Sequence, residues 1–148
     1  MDIPLQIRSG SFNTARGDKL TLYRALIVAG FPDRAGHSIP LRCILDIGAP
    51  LSVVPYDIWK RNDLPWTSVS SSLSTAAGSS ALLWEGVPCD LGTMEIDLAG
   101  RRKLMAKFAL QPTRPAEVLL GVSFLTDNDI ELVLSGAAGS LSGFLSLP

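Results

Sequence analysis

Residues 41–55 read LRCILDIGAPLSVVP. An apolar strand pattern over 41–45 runs directly into Asp46, a glycine turn follows, and a second apolar stretch closes on Pro55. A carboxylate at the end of a buried strand is costly unless it has a partner or a use, so Asp46 stands out as a candidate for chemistry. Pro55 and the following YDIWKRN predict a helix of about two turns with the proline at its first position, where no backbone donor is needed. Asp63-Leu64-Pro65 ends it.

Working outward, short apolar runs separated by Gly, Pro, Asn and Ser clusters recur along the chain, and helical periodicity is scarce. The pattern is that of an all-β domain. Residues 20–29, LTLYRALIVA, form the strand before the Asp46 strand, with a loop containing Pro32 and Pro40 between them. Residues 69–80, VSSSLSTAAGSS, admit two readings: a low-complexity linker, or a hairpin tip whose small residues permit tight turns and close approach to a ligand. Met94, Ile96 and Leu98 alternate with Glu95 and Asp97, and Leu104, Ala106, Phe108 and Leu110 repeat the alternation after Ala99-Gly100, which predicts a half-buried hairpin. Asp90-Leu91-Gly92 follows Val87-Pro88-Cys89 and reads as a turn. EVLLG at 117–121 is another strand, VSFLTDND supplies one helical turn, and IELVLS and SLSGFLSL form a closing hairpin around GAAG.

Composition narrows the function. The chain has 148 residues, 47% of them apolar, with mean hydropathy +0.28, enough to build one core. A formal charge of −1 provides no field for nucleic acid. No apolar run reaches the roughly 18 residues of a membrane helix, and MDIPLQIRSG lacks a secretory apolar stretch, so the expectation is a cytoplasmic protein without membrane association. Cys43, Cys89 and His37 are too few for a disulfide framework or a thiolate metal site, and a histidine-based nucleophile is disfavoured because His37 sits in a polar loop. Neither metal nor cofactor is expected. Catalysis, if present, rests on carboxylates.

The Asp46 segment resembles the retropepsin-like aspartic proteases, whose signature is an apolar strand, Asp-Thr/Ser-Gly-Ala/Ser, then small and apolar residues leading to a short helix. Asp46, Gly48 and Ala49 match this active-site loop, and Ile47 departs from it. Residues 118–121, VLLG, with Leu119, Leu120 and Gly121, are similar to the family's second motif, and Thr75, Ala76, Ala77 and Gly78 fall where the family carries its flap. The resemblance spans roughly residues 20–147. It implies a closed-barrel-like acid protease (retropepsin) fold with one or two short helices, over a domain at 19–148 preceded by an N-terminal arm at 1–18. It further implies a homodimer, since one chain supplies one catalytic aspartate, Asp46, and the reaction needs two. The substrate would be a peptide or protein held in extended form.

The departures shape the expected activity. In active relatives the residue after the aspartate carries a hydroxyl that bonds to the opposite subunit, a contact Ile47 cannot make; each lost bond is worth about 0.5–1.5 kcal/mol. Burial of isoleucine across the axis offsets this by about 1.5–3 kcal/mol per chain, so association survives while catalytic geometry suffers. Viral members carry an aspartate where Pro50 stands and an arginine where Val122 stands, so the chain is closer to cellular or bacterial relatives, with Ser52 left to supply local hydrogen bonds. The resemblance therefore implies an aspartic endopeptidase, with a catalytically impaired dimer that binds peptide or protein partners as the alternative. An unrelated all-β module, in which Asp46 only closes a turn, is a third reading.

Overall fold

In the computed structural model, which describes residues 1–69, 72–75, 78–81, 83–84, 87–111 and 117–148, fifteen strands and two short helices follow one another. They run β1 (Asp2–Pro4), β2 (Gln6–Asn13), β3 (Lys19–Pro32), β4 (Ser38–Leu45), β5 (Ser52–Pro55), α1 (Tyr56–Arg61) and β6 (Thr67–Ser68). After these come β7 (Ser72–Thr75), β8 (Gly78–Ala81), β9 (Leu83–Trp84), β10 (Val87–Pro88), β11 (Asp90–Leu98) and β12 (Arg102–Gln111). The chain closes with β13 (Val118–Leu120), α2 (Val122–Asp127), β14 (Glu131–Ala137) and β15 (Ser140–Ser146). Among the described residues, no helix is long and apolar enough to cross a membrane.

Six strands form a closed ring. β3 pairs with β4, β4 with β13, β13 with β5, β5 with β12 and β12 with β11, and β11 returns to β3 through Asp97↔Gly30 and Leu98↔Ala29. Closure leaves the barrel without a free edge of its own. The period-two alternation seen in the sequence now has its cause: Ile27, Ala29 and Phe31, Cys43 and Leu45, Met94, Ile96 and Leu98, and Ala106 and Phe108 all turn into one core. Phe31 and Phe108 meet there with ring centroids 5.8 Å apart, tilted at 45°. The predicted turns at Ala99-Gly100 and within GAAG are tight, with Ala99 and Gly100 at φ 52° and 66° and Ala138 and Gly139 at φ 51° and 78°, the mirror-image form that matches strand twist.

The structure departs from expectation at its prolines. Pro32 ends β3 and Pro40 sits within β4 opposite Gly30, so the two-proline loop shrinks to a turn at 33–37. Pro55 is the N-cap of α1 and not its first helical residue: pairing with Gln111 at the end of β5 holds it extended, φ −62° and ψ 140°, and the helix begins one residue later. Residues in the arm at 1–18 form β1, which pairs with β15, and β2, which pairs with β3 along its whole length.

The strand β13 is inserted between β4 and β5, parallel to the first and antiparallel to the second. The segment joining β4 to β5 must therefore cross the end of β13, and the two meet at Gly121. A Cβ there would lie 2.5 Å from the Leu51 carbonyl oxygen and 2.6 Å from that of Ala49, so only glycine fits. The Gly121 N–H donates to Ser52 Oγ at 3.0 Å, which accounts for Ser52 being the fully buried polar side chain among the described residues.

Gly121→Ala should cost about 1–3 kcal/mol by forcing backbone apart, lowering the thermal midpoint by several degrees, whereas Gly136→Ala, with its nearest atom at ordinary contact distance, should leave it nearly unchanged. Ser52→Ala strands a buried donor and should cost about 1–3 kcal/mol in urea denaturation, and Ser52→Thr, which keeps the acceptor, should recover part of that loss.

Candidate active site

Asp46 leaves the end of β4 and is half-buried at the mouth of the crossing. Its backbone N–H donates to the Leu120 carbonyl at 2.9 Å, so the residue is pinned to β13 from the side. Its carboxylate Oδ1 accepts the Gly48 N–H at 3.0 Å, and a Cβ on Gly48 would stand 3.2 Å from that same oxygen. Glycine thus both supplies the donor and leaves the room. Ala49 closes the turn by donating its N–H to the Asp46 carbonyl at 3.1 Å, and is buried.

The second motif meets this loop residue by residue. Val122 N–H donates to the Ala49 carbonyl at 2.9 Å and Ser123 N–H to the Pro50 carbonyl at 3.1 Å. Leu120 is buried in the barrel and Leu119 pairs with both Ile44 and Val53, so the two segments that the sequence singled out form one rigid unit. Ile47 stands apart from it: the side chain is 64% exposed at the tip of the turn, the most solvent-exposed large apolar residue among those described.

An open cleft of about 630 Å³ lies over Asp46. Ile44 and Leu119 supply apolar walls, and Arg24 and Glu117 bring charge to it. Ala25 is the register partner of Leu45, so Arg24 and Asp46 are the next residues on neighbouring strands; sequence reasoning missed Arg24 because only the pairing of β3 with β4 reveals it. The expected flap residues divide. Thr75 and Gly78 are register partners in the hairpin of β7 and β8, which favours a hairpin over a linker, and Ala76 and Ala77 lie outside the described residues.

Other titratable groups have structural occupations. Asp90 opens β11 and is not in a turn: its carboxylate accepts the Trp66 indole N–H and the Ser68 hydroxyl, both at 2.8 Å. That anchors Trp66, whose ring lies where a Cβ on Gly92 would be, 2.3 Å from its nearest atom, and leaves Asp90 no part in the cleft. His37 caps the turn at 33–37, its backbone N–H donating to Asp33 at 2.7 Å and its ring Nδ1 lying 3.0 Å from the other carboxylate oxygen. Cys43 faces the barrel core, where burial pushes its thiol pKa up to about 12 and keeps it neutral. Among the described residues, no group of three or more His, Cys, Asp and Glu side chains is arranged to hold a metal ion.

No family model and no curated protein matches the chain. Solved structures do. A retropepsin-like aspartic protease from Rickettsia conorii superposes with a TM-score of 0.51 at 11% identity, covering 95% of this chain and 94% of that one. The EIAV protease complexed with the inhibitor HBY-793 matches at 23% identity and TM-score 0.44, over 75% of this chain and 93% of that chain. The Simian Foamy Virus (mac) protease matches at 18% identity and TM-score 0.42, over 68% and 91%. The near end-to-end superposition on the rickettsial structure, together with the six-stranded closed barrel and its two short helices, shows that the chain has the retropepsin-like fold.

Proposed function

We propose that the chain is an aspartic endopeptidase that works as a homodimer, with Asp46 of each copy forming the catalytic pair. The observation that carries this reading is the Asp46 carboxylate, held by Gly48 at the mouth of a cleft whose walls are the two apolar strands leading into the two motifs. A single carboxylate positioned in this way lacks the second acid that peptide hydrolysis needs, and among the described residues the cleft offers Glu117 but no second Asp-x-Gly loop. A twofold axis beside the turn would supply it.

Ile47 supports the same arrangement. An aliphatic side chain 64% exposed at the tip of a hydrogen-bonded turn is what a self-complementary contact requires, and burying it would stabilise the pair by about 1.5–3 kcal/mol per chain. Two carboxylates brought together this way cannot both ionise comfortably, so the pair shares one proton. The ionised member takes a proton from water as the water oxygen attacks the peptide carbonyl carbon, and the protonated member donates to the carbonyl oxygen. Collapse of the tetrahedral intermediate breaks the C–N bond, with the departing nitrogen receiving a proton from the pair. The substrate lies extended across the cleft, and the hairpin of β7 and β8 serves as the flap that covers it.

The reading predicts peptide hydrolysis with an acid-favoured, bell-shaped pH profile, and sedimentation should find dimers at micromolar concentration. Asp46→Asn should reduce turnover by at least about a hundredfold without disturbing association; activity that persists in this variant defeats the assignment. Ile47→Thr should restore the loop contact and raise kcat by about tenfold or more, measured on the same peptide, because small misplacements of catalytic groups are costly.

A further inference from the structure

The hairpin of β2 and β3 extends past the barrel and carries one face whose composition is unusual. Arg8 pairs with Arg24, Gly10 with Leu22 and Phe12 with Leu20, so all six lie on the same side of the ribbon. Two arginines directly opposite each other repel, and such a pair is destabilising without a counter-charge. Asp46 and Glu117 line the cleft on the far side of Arg24, but among the described residues neither exposed arginine side chain is engaged in an ion pair or a side-chain hydrogen bond. Beyond them a groove of about 360 Å³ runs to Phe12 and Leu22, which are 49% and 52% exposed. Arg24 lines both this groove and the cleft over Asp46, so the two adjoin at its side chain. The ribbon is braced, since Tyr23 Oη donates to the Gly139 carbonyl at 2.7 Å in the turn between β14 and β15.

We infer that Arg8 and Arg24 form an anion-recognising subsite that selects peptide substrates with an acidic side chain, followed outward by an apolar residue against Phe12 and Leu22. The inference rests on the endopeptidase reading for the substrate, and on the paired arginines beside the cleft for the chemistry. Paired guanidinium groups recognise a carboxylate through directed, charge-assisted hydrogen bonds, and their mutual repulsion is relieved when it binds. The spacing sets the position. Two strand separations from Asp46 to Arg8 amount to about 10 Å, equal to about three residues of extended peptide, so the acidic residue lies within about three positions of the bond to be cleaved.

The test uses the full chain carrying Asp46→Asn, which makes binding measurable without cleavage. Fluorescence anisotropy is followed with labelled octapeptides that have an apolar centre and a single Glu scanned through every other position, each compared with its Gln counterpart. At one position Glu should bind about tenfold tighter than Gln, and the advantage should shrink as salt is raised. Arg8→Gln with Arg24→Gln should reduce it to less than about twofold, Arg→Lys at both sites should retain part of it, and Arg16→Gln on the same hairpin should leave it intact. Circular dichroism checks that each variant is folded. Equal binding of Glu and Gln peptides at every position, no binding of any peptide, or a preference that survives the double substitution overturns the inference. So does a double variant that alters self-association in sedimentation while peptide selectivity is unchanged, which would give the arginines to the contact between copies. Acidic preference in a chain that never hydrolyses peptide would defeat the endopeptidase reading alone, and hydrolysis without acidic preference would defeat this one alone.

Discussion

The crossing of the Asp46 loop over the end of β13 fixes where the carboxylate and both sequence motifs sit. Because β13 is slotted between two strands that follow each other in sequence, the short connection between those strands has to pass over it at van der Waals distance. Gly121 makes that possible by having no side chain, and Ser52 satisfies the one amide the close approach would otherwise orphan. The consequence reaches the carboxylate directly. Leu120 accepts from Asp46, Ala49 and Pro50 accept from the start of α2, and Gly48 holds Oδ1, so the acid is positioned by backbone groups and not by mobile side chains. In the proposed hydrolysis, such positioning would cost no reorganisation of these donors and acceptors at the moment of reaction.

What could be read from the residues alone was whatever depends on a few neighbours in sequence. Asp46-Ile47-Gly48-Ala49 and Leu119-Leu120-Gly121 announce themselves because each requires particular residue types at fixed spacing, and the hairpin turns at Ala99-Gly100 and Ala138-Gly139 because small residues accept positive φ. Long-range pairing was not legible. Nothing local says that β13 lies between β4 and β5, that residues 2–13 pair with β15 and β3, or that Arg24 comes to lie beside Asp46. Asp90 shows the opposite failure: Pro88 just before it suggested a turn, yet pairing with Leu110 puts it in a strand, where its carboxylate meets Trp66, 24 residues earlier. Pro40 likewise reads as a loop residue until its register opposite Gly30 is known.

In the proposed dimer, Ile47 brings association and catalysis into tension. A hydroxyl in that place would serve orientation, whereas an exposed aliphatic group serves adhesion, and the two differ in what they do to a symmetric pair of loops. Apolar contact is non-directional, so it can hold two copies together without fixing the angle between them. A hydrogen bond fixes that angle. In that dimer, exchanging one for the other would favour association over alignment.

The two ends of the chain close on each other: Met1 and Leu147 exchange backbone hydrogen bonds of 3.0 and 2.8 Å, and Ile3 and Leu145 are buried beneath them. β1 and β15 pair within one copy of the chain, so this sheet is complete without a strand from a neighbour. For the proposed dimer, separation of two copies would release intact barrels and not unravelled chains, so dilution would act on it as a reversible dimmer.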